Sequence, residues 1–362
     1  MTTVEDVRAF TCSRCEAVVS FEDATCSTCG ATLGYVPGSS HLHAIGADDA
    51  AAVNGERWAR CANAISLGCN WLRRASESSA HCSSCSLTIK RPAASDTIGH
   101  EQVALAAYAK RRLLFQLHEH TLPITPFYED PKGLGFLLLS SASEGPVTIG
   151  HANGVVTIDV SEVDHAYRES LRVRLGEPYR TMLGHFRHEI GHYYWQVLVA
   201  DSLWLRPFRE LFGDERASYA DALTRHYEHG APADWAESYI SEYATMHPWE
   251  DFAETWAHYL HITDTLQTVA SYGMHLDGLA ASGLSPSGQT LRTDPPLSPR
   301  AYHDMSMREV LDLWYPLAHL FNQVNRSMGK EDLYPFLITE PVREKFGFVH
   351  DVIGGAAGKG GL

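Results

Sequence analysis

The sequence predicts an α+β chain: a small, Cys-rich β domain followed by a mostly helical domain that carries a small β-sheet. Three observations point there. All eight cysteines fall between Cys12 and Cys85, six of them in Cys-x2-Cys pairs. Long stretches with apolar residues at helical spacing begin near Thr97. Among them, Asn153-Gly154 separates two β-branched runs, the pattern of a tight hairpin. With 362 residues, 44% of them hydrophobic, the chain can build a sizeable core and hold two or three domains.

The Cys-rich part is expected over residues 1–91. Two knuckles, Cys12/Cys15 and Cys26/Cys29, flank the strand-like run AVVSFE, and four thiolates from two such tips can close a tetrahedron around one zinc ion. Cys61, Cys69, Cys82 and Cys85 form a second quartet, in which only the last pair has knuckle spacing. A second four-Cys zinc site there competes with two alternatives: Cys61 and Cys69 as simple buried thiols, or ligands exchanged between the quartets. The N-terminal residues MTTVEDVRAF lack the basic and apolar regions of a secretory signal, so a cytoplasmic, reducing address is expected, which favours metal-bound thiolates over disulfides. Large apolar residues are sparse in this segment, so zinc rather than a core is expected to hold it together.

The mostly helical part is expected over residues 92–345. GHEQVALAAYAKRRLLFQLHEH has apolar residues at helical spacing, and the prolines of LPITPFYEDPKG end it. LGFLLLSS reads as a buried strand and VTIGHANGVVTIDV as the hairpin. Helices follow in EVDHAYRESLRVRLG, in PYRTMLGHFRHEIGHYYWQVLVA from Pro178 to Ala200, in ERASYADALTRHYEHG and in HPWEDFAETWAHYLHITDTLQTVA. GLSPSGQTLRTDPPLSP reads as an exposed loop and MREVLDLWYPLAHLFNQVNRSMG as a further helix. The sequence GGAAGKGGL closes a Gly-rich tail, expected to be flexible over 346–362.

Within the second of these helices stands His188-Glu189-Ile190-Gly191-His192. Positions i and i+4 share one helix face, so His188 and His192 can offer imidazoles to one metal ion, while Glu189 is turned to serve as a general base. Gly184 and Gly191 weaken the helix, which implies close packing of another element against it. A catalytic zinc keeps three protein ligands and an open position. The metzincin completion requires Gly and His where this chain has Trp195 and Leu198, so a glutamate from a separate helix is the leading candidate. MHPWEDFAETWAHYLH supplies it: Trp249, Phe252, Trp256, Tyr259 and Leu260 form an apolar stripe, and Glu250, Glu254, Ala257 and His261 share a second face.

EPYRTMLGHFRHEIGHYYW and HPWEDFAETWAHYLH, with FTCSRC, CSTCGATLGY and CANAISLGCNWL ahead of them, resemble a bacterial family of zinc-binding metallo-peptidases with an N-terminal zinc ribbon. The resemblance reaches to about residue 345 and implies a zincin-like metallopeptidase fold. A more local likeness is to gluzincin peptidases such as anthrax lethal factor, in which the third ligand opens an E-F-F-A-E run and a Tyr stands seven residues before it. Carried onto Glu250-Asp251-Phe252-Ala253-Glu254, it implies Glu250 as third ligand, Glu254 as partner of a ligand histidine and Tyr243 as transition-state donor. Asp251 departs from that pattern and leaves Glu254 as an alternative ligand. The implied activity is zinc-dependent cleavage of peptide bonds, as an endopeptidase, with one catalytic and two structural zinc ions.

The net charge of -15 sits almost wholly outside residues 1–91, which carry 8 Lys/Arg against 9 Asp/Glu. Such a surface repels phosphate, so nucleic acid is not an expected partner, and no apolar run approaches the ~20 residues of a membrane span. The expected partners are a protein or peptide substrate, presented along residues 155–160 as an exposed strand edge, and a protein recruited by the ribbons. Two rival readings are a non-catalytic zinc-ribbon interaction module with a protease-like domain, and a zinc aminopeptidase or amidase.

Overall fold

The computed structural model describes residues 9–39, 41–93, 95–175, 180–276, 291–292, 302 and 304–359. It is an α+β chain with a Cys-rich ribbon region followed by a mostly helical part. It groups into two compact units, Met1–Glu119 with Pro123–Phe186, and His120–Leu122 with Arg187–Leu362.

In the first unit, β1 (Thr11–Cys12), β2 (Leu33–Tyr35) and β3 (His41–Ala44) form one small sheet in the order β1-β3-β2. β4 (Ala50–Val53), β5 (Glu56–Arg60) and β6 (Leu72–Arg74) form an antiparallel meander. AVVSFE is not a strand: it contributes one isolated bridge, Val18 to Thr11. The hydrogen bonds from Cys12 N to Ala17 O and from Val19 N to Phe10 O curl the chain around the knuckle and leave no room for a longer ladder. The two ribbons are joined where Tyr35 N bonds Asn70 O at 2.7 Å and the Asn70 side chain donates to Phe21 O at 2.7 Å.

The expectation of a ribbon without a core is corrected. Phe10, Phe21, Tyr35 and Trp71 are buried and pack edge-to-face or tilted, with Phe21 and Phe115 centroids 4.8 Å apart. Few large residues suffice because they are aromatic and share one site, and because Phe115 comes from α2 (Thr97–Glu119), beyond the expected boundary.

Four further strands make a second sheet in the order β7-β8-β10-β9, namely β7 (Thr88–Lys90), β8 (Gly135–Leu139), β9 (Gly150–Ala152) and β10 (Val155–Asp159). The hairpin forms as expected, with Asn153 and Gly154 at φ 48° and 86°, the left-handed pair that a two-residue turn requires. β10, however, pairs with β8 on one side and β9 on the other, so residues 155–159 offer no free edge to an extended peptide. The strand is too apolar for an edge: Val156 and Ile158 are fully buried.

After α3 (Ser141–Glu144) and α4 (His165–Leu175), α5 (Met182–Tyr194) starts in the first unit and belongs to the second from Arg187 on; it passes directly into a π-helical turn over Trp195–Val199, so the expected helix runs nearly to Ala200. Its expected start, Pro178, lies outside the described residues. α6 (Leu205–Phe212), α7 (Tyr219–His229), α8 (Pro248–Ser271) and helices Met307–Ser327 and Glu340–Lys359 follow. Phe208, Phe212, Phe252, Trp256 and Phe348 form the aromatic centre, and Tyr194 stacks on Trp256 at 5.1 Å. The tail is corrected as well: Gly354–Lys359 continues a helix whose Phe346, Val349, Val352 and Ile353 are buried, and that anchoring outweighs the cost of its glycines. The loop expected over 283–299 lies outside the described residues except Leu291–Arg292, which pair with His275–Leu276. Among the described residues no helix is long and apolar enough to cross a membrane.

Candidate metal centre

The eight cysteines gather into two quartets, Cys12/Cys15/Cys26/Cys29 and Cys61/Cys69/Cys82/Cys85, each with its sulfurs within 4.8 Å of one another. Ligands are not exchanged between quartets, and Cys61 and Cys69 are more than buried thiols. Sulfur separations of 3.8 Å for Cys12–Cys29 and 3.7 Å for Cys15–Cys26, Cys69–Cys82 and Cys69–Cys85 match the edge of about 3.8 Å that a tetrahedron with Zn–S bonds of ~2.3 Å requires. Backbone N–H groups point at the sulfurs, Asn63 N and Cys82 N at Cys61 Sγ and Cys85 N at Cys82 Sγ, as thiolates need when buried. Under the second quartet lies Lys110 of α2, fully buried, its ammonium donating to Ser84 O and Thr88 Oγ1. Burial pulls its pKa down to about 8 against the opposing pull of the Cys85, Cys82 and Cys69 charges.

A third cluster lies in the helical unit. His188 and His192 project from one face of α5 with ring centroids 5.0 Å apart. Glu250, in the first turn of α8, brings Oε2 to 2.9 Å from His188 Nε2 and 3.4 Å from His192 Nε2. The donor set of two imidazoles and one carboxylate, converging through Nε2, Nε2 and Oε2, fits zinc. Gly191 makes the convergence possible: a Cβ there would stand 3.0 Å from Ala253 Cα and 3.1 Å from Trp256 Cβ. The close approach of α5 and α8 inferred from Gly191 is therefore present.

Each of these groups has a second partner that fixes it. His188 Nδ1 meets Glu254 Oε1 at 2.7 Å, and Glu254 Oε2 accepts from Ser241 Oγ at 2.7 Å. Both Glu254 oxygens are thus engaged away from the cluster, which favours the register with Glu250 turned inward. The His192 ring packs 4.4 Å from the Trp249 indole. The α8 N-terminus is set by Pro248 and by His247, whose Nδ1 accepts from Trp249 N at 3.1 Å while its Nε2–H donates to Ala217 O at 3.2 Å. Glu189 is 6% exposed and lies near enough to His188, Tyr219 and Tyr243 for its charge to act on all three. Tyr243, on a 3-10 turn, has its ring 5.9 Å from that of His188. His261, on the expected second face of α8, turns instead to Arg187 at 2.6 Å.

Electrostatics bind the cluster together. Burial opposes a charge on His188, but the Glu250 and Glu254 carboxylates outweigh it and raise its pKa. Burial likewise opposes ionisation of Glu250, and the His192 and His188 imidazoles outweigh it and hold its pKa well below the ordinary value. Burial, reinforced by the Glu250 charge, raises both the Tyr219 and the Tyr243 phenols, which stay protonated donors.

Two residues carry roles that the sequence did not signal. Asp251, unexplained by the motif, is 1% exposed and pairs with Lys345 of the helix Glu340–Lys359 at 2.7 Å. Burial raises its pKa to about 7, with Lys345 opposing. Lys345 also donates to Ser238 O at 2.7 Å and lies 4.1 Å from the Tyr239 ring, so one ammonium ties the carboxylate beside Glu250 to the segment that leads to Tyr243. Tyr219 donates to Glu250 Oε1 at 2.9 Å. No spacing rule links a residue 31 positions upstream to the ligand helix.

Comparison with known proteins agrees with this arrangement. A family model described as "Putative zinc-binding metallo-peptidase" matches residues 100–352, and a zinc-ribbon domain model matches residues 9–96. Proteins of Mycobacterium bovis and of two Mycobacterium tuberculosis strains, each described as uncharacterized, are 47% identical over 349 residues, covering 96% of this chain and 95% of theirs. No solved structure matches. The chain belongs to the zinc-binding metallo-peptidase family, with a zinc-ribbon domain at its N-terminal end.

Proposed function

We infer that this family member is a zinc-dependent endopeptidase of the gluzincin type, with His188, His192 and Glu250 as the ligands of a catalytic zinc. The observation that carries the reading is the convergence of three donor atoms, with Glu189 next to His188 on the same helix and buried near them. Held by His188, His192 and Glu250, a zinc ion would lower the pKa of a water and polarise a peptide carbonyl. Glu189 takes the proton from the attacking water and passes it to the leaving amine. Tyr243 donates a hydrogen bond to the oxygen on which charge develops, a contribution of about 3 kcal/mol for one such donor. Glu254 holds His188 in the tautomer that presents Nε2.

The two thiol quartets serve as structural zinc sites, and the ribbon recruits a protein, since its near-zero charge and anionic zinc–thiolate centres suit protein better than nucleic acid. Thiols arranged as metal quartets support a reducing, cytoplasmic address. An intact Glu189 speaks against a purely non-catalytic module, which has no chemical use for a buried carboxylate there.

The test is Glu189→Gln. This variant is expected to bind three zinc ions as the wild type does and to lose cleavage by at least a hundredfold. New protein N-termini compared between cells carrying wild type and Glu189→Gln name the substrates in the same experiment. Identical N-terminal profiles from the two strains reject the peptidase reading.

A further inference from the structure

We propose that Tyr219 is a positioning residue that holds Glu250 by Oε1 and so presents a single oxygen, Oε2, to the metal. This rests on the proposed zinc site and concerns how that site is kept open. Glu250 is 2% exposed, so no bulk water reaches its carboxylate, and its two oxygens face different partners. Oε2 lies among the imidazole nitrogens, and Oε1 accepts from the Tyr219 hydroxyl at 2.9 Å. A carboxylate free on that side would have a second oxygen able to turn onto the same ion. Occupying Oε1 removes that option and leaves a coordination position for water or for a carbonyl oxygen.

Tyr219 is itself held in place. It is the first residue of α7, whose N-cap Ser218 accepts from Asp221 N. The preceding Ala217 carbonyl accepts from His247, the residue that also caps α8, and the Tyr219 ring packs 5.3 Å from the His247 ring. One histidine therefore sets both the start of the helix that carries Glu250 and the approach of the phenol that restrains it. The Tyr243 phenol stands near that of Tyr219, which places two phenols beside the carboxylate.

Tyr219→Phe in the full chain removes the hydroxyl and keeps the ring. The third zinc equivalent, the one lost in His192→Ala, is expected to bind about tenfold more weakly in chelator competition. When that zinc is removed with a chelator and replaced by Co²⁺, the d–d absorption of the variant, measured against His192→Ala as background, is expected to weaken as the coordination number rises. The thermal unfolding midpoint is expected to fall by no more than a few degrees, because the ring is kept and only the hydroxyl on a buried oxygen is lost. Wild-type zinc affinity together with a wild-type Co²⁺ spectrum overturns the proposal, and so does a spectrum that changes only along with a collapse of the midpoint like that of an unfolded chain. A wild-type chain that holds no third metal refutes the proposed function instead, and the two failures are read separately.

Discussion

The sulfurs of Cys12 and Cys29 meet across 17 positions of chain, whereas His188 and Glu250 meet across 62. The thiol quartets consist of ligands of one kind, and as thiolates they repel one another until a cation arrives. The histidine–glutamate cluster mixes signs, so Glu250 and His188 attract each other. A metal is therefore expected to support the fold more at the quartets than at the third cluster.

Chelation is the strongest way to break this contrast. Stripping all metal from the full chain is expected to abolish hydrogen-exchange protection around the knuckles at Cys12–Cys29 and Cys61–Cys85, while α8 keeps its protection. The aromatic group of Phe10, Phe21, Tyr35, Trp71 and Phe115 limits how far the loss spreads. Knuckle amides that remain as slow as in the metal-loaded chain make the two kinds of site equivalent and remove the contrast.

Next in size is the frame behind Glu250. Lys345→Met leaves Asp251 buried without its partner and Ser238 O without its donor, an expected loss of about 3 kcal/mol in denaturant unfolding. Adding Asp251→Leu to the same chain is expected to recover most of it, because a buried pair costs more to break than to replace. Unchanged stability in Lys345→Met shows that the second unit does not depend on this pair.

The gathering of these side chains was largely legible in the sequence because the residues that cluster obey short rules. The i, i+4 histidines, the knuckle cysteines and the Asn153-Gly154 turn each follow from local geometry. What was not legible depends on distant packing. The Asp251–Lys345 pair joins helices far apart in sequence, Tyr219 reaches Glu250 from the start of a separate helix that no spacing rule ties to α8, and β10 looked like an available edge because pairing with β8 cannot be read from one strand. The Gly-rich end misled for the same reason: composition reports the cost of helical glycines, not the buried Phe346, Val349 and Ile353 that offset it.

The smallest expected effect tests the packing term alone. At Gly191, alanine improves helix propensity by about 1 kcal/mol, but its Cβ would press on the Ala253 backbone and on Trp256, where overpacking costs about 1–3 kcal/mol. Gly191→Ala is therefore expected to lower stability by about 1 kcal/mol. Since α5 carries His188 and His192 and α8 carries Glu250, any separation of the two helices spreads the three donor atoms. The third zinc should weaken in the variant while the four-Cys sites hold theirs unchanged, and chelator competition resolves the two classes. A variant that gains stability and keeps all three zinc ions would mean that the close approach at Gly191 does not set the ligand geometry, leaving the fixing of Glu250 to Tyr219 and His247.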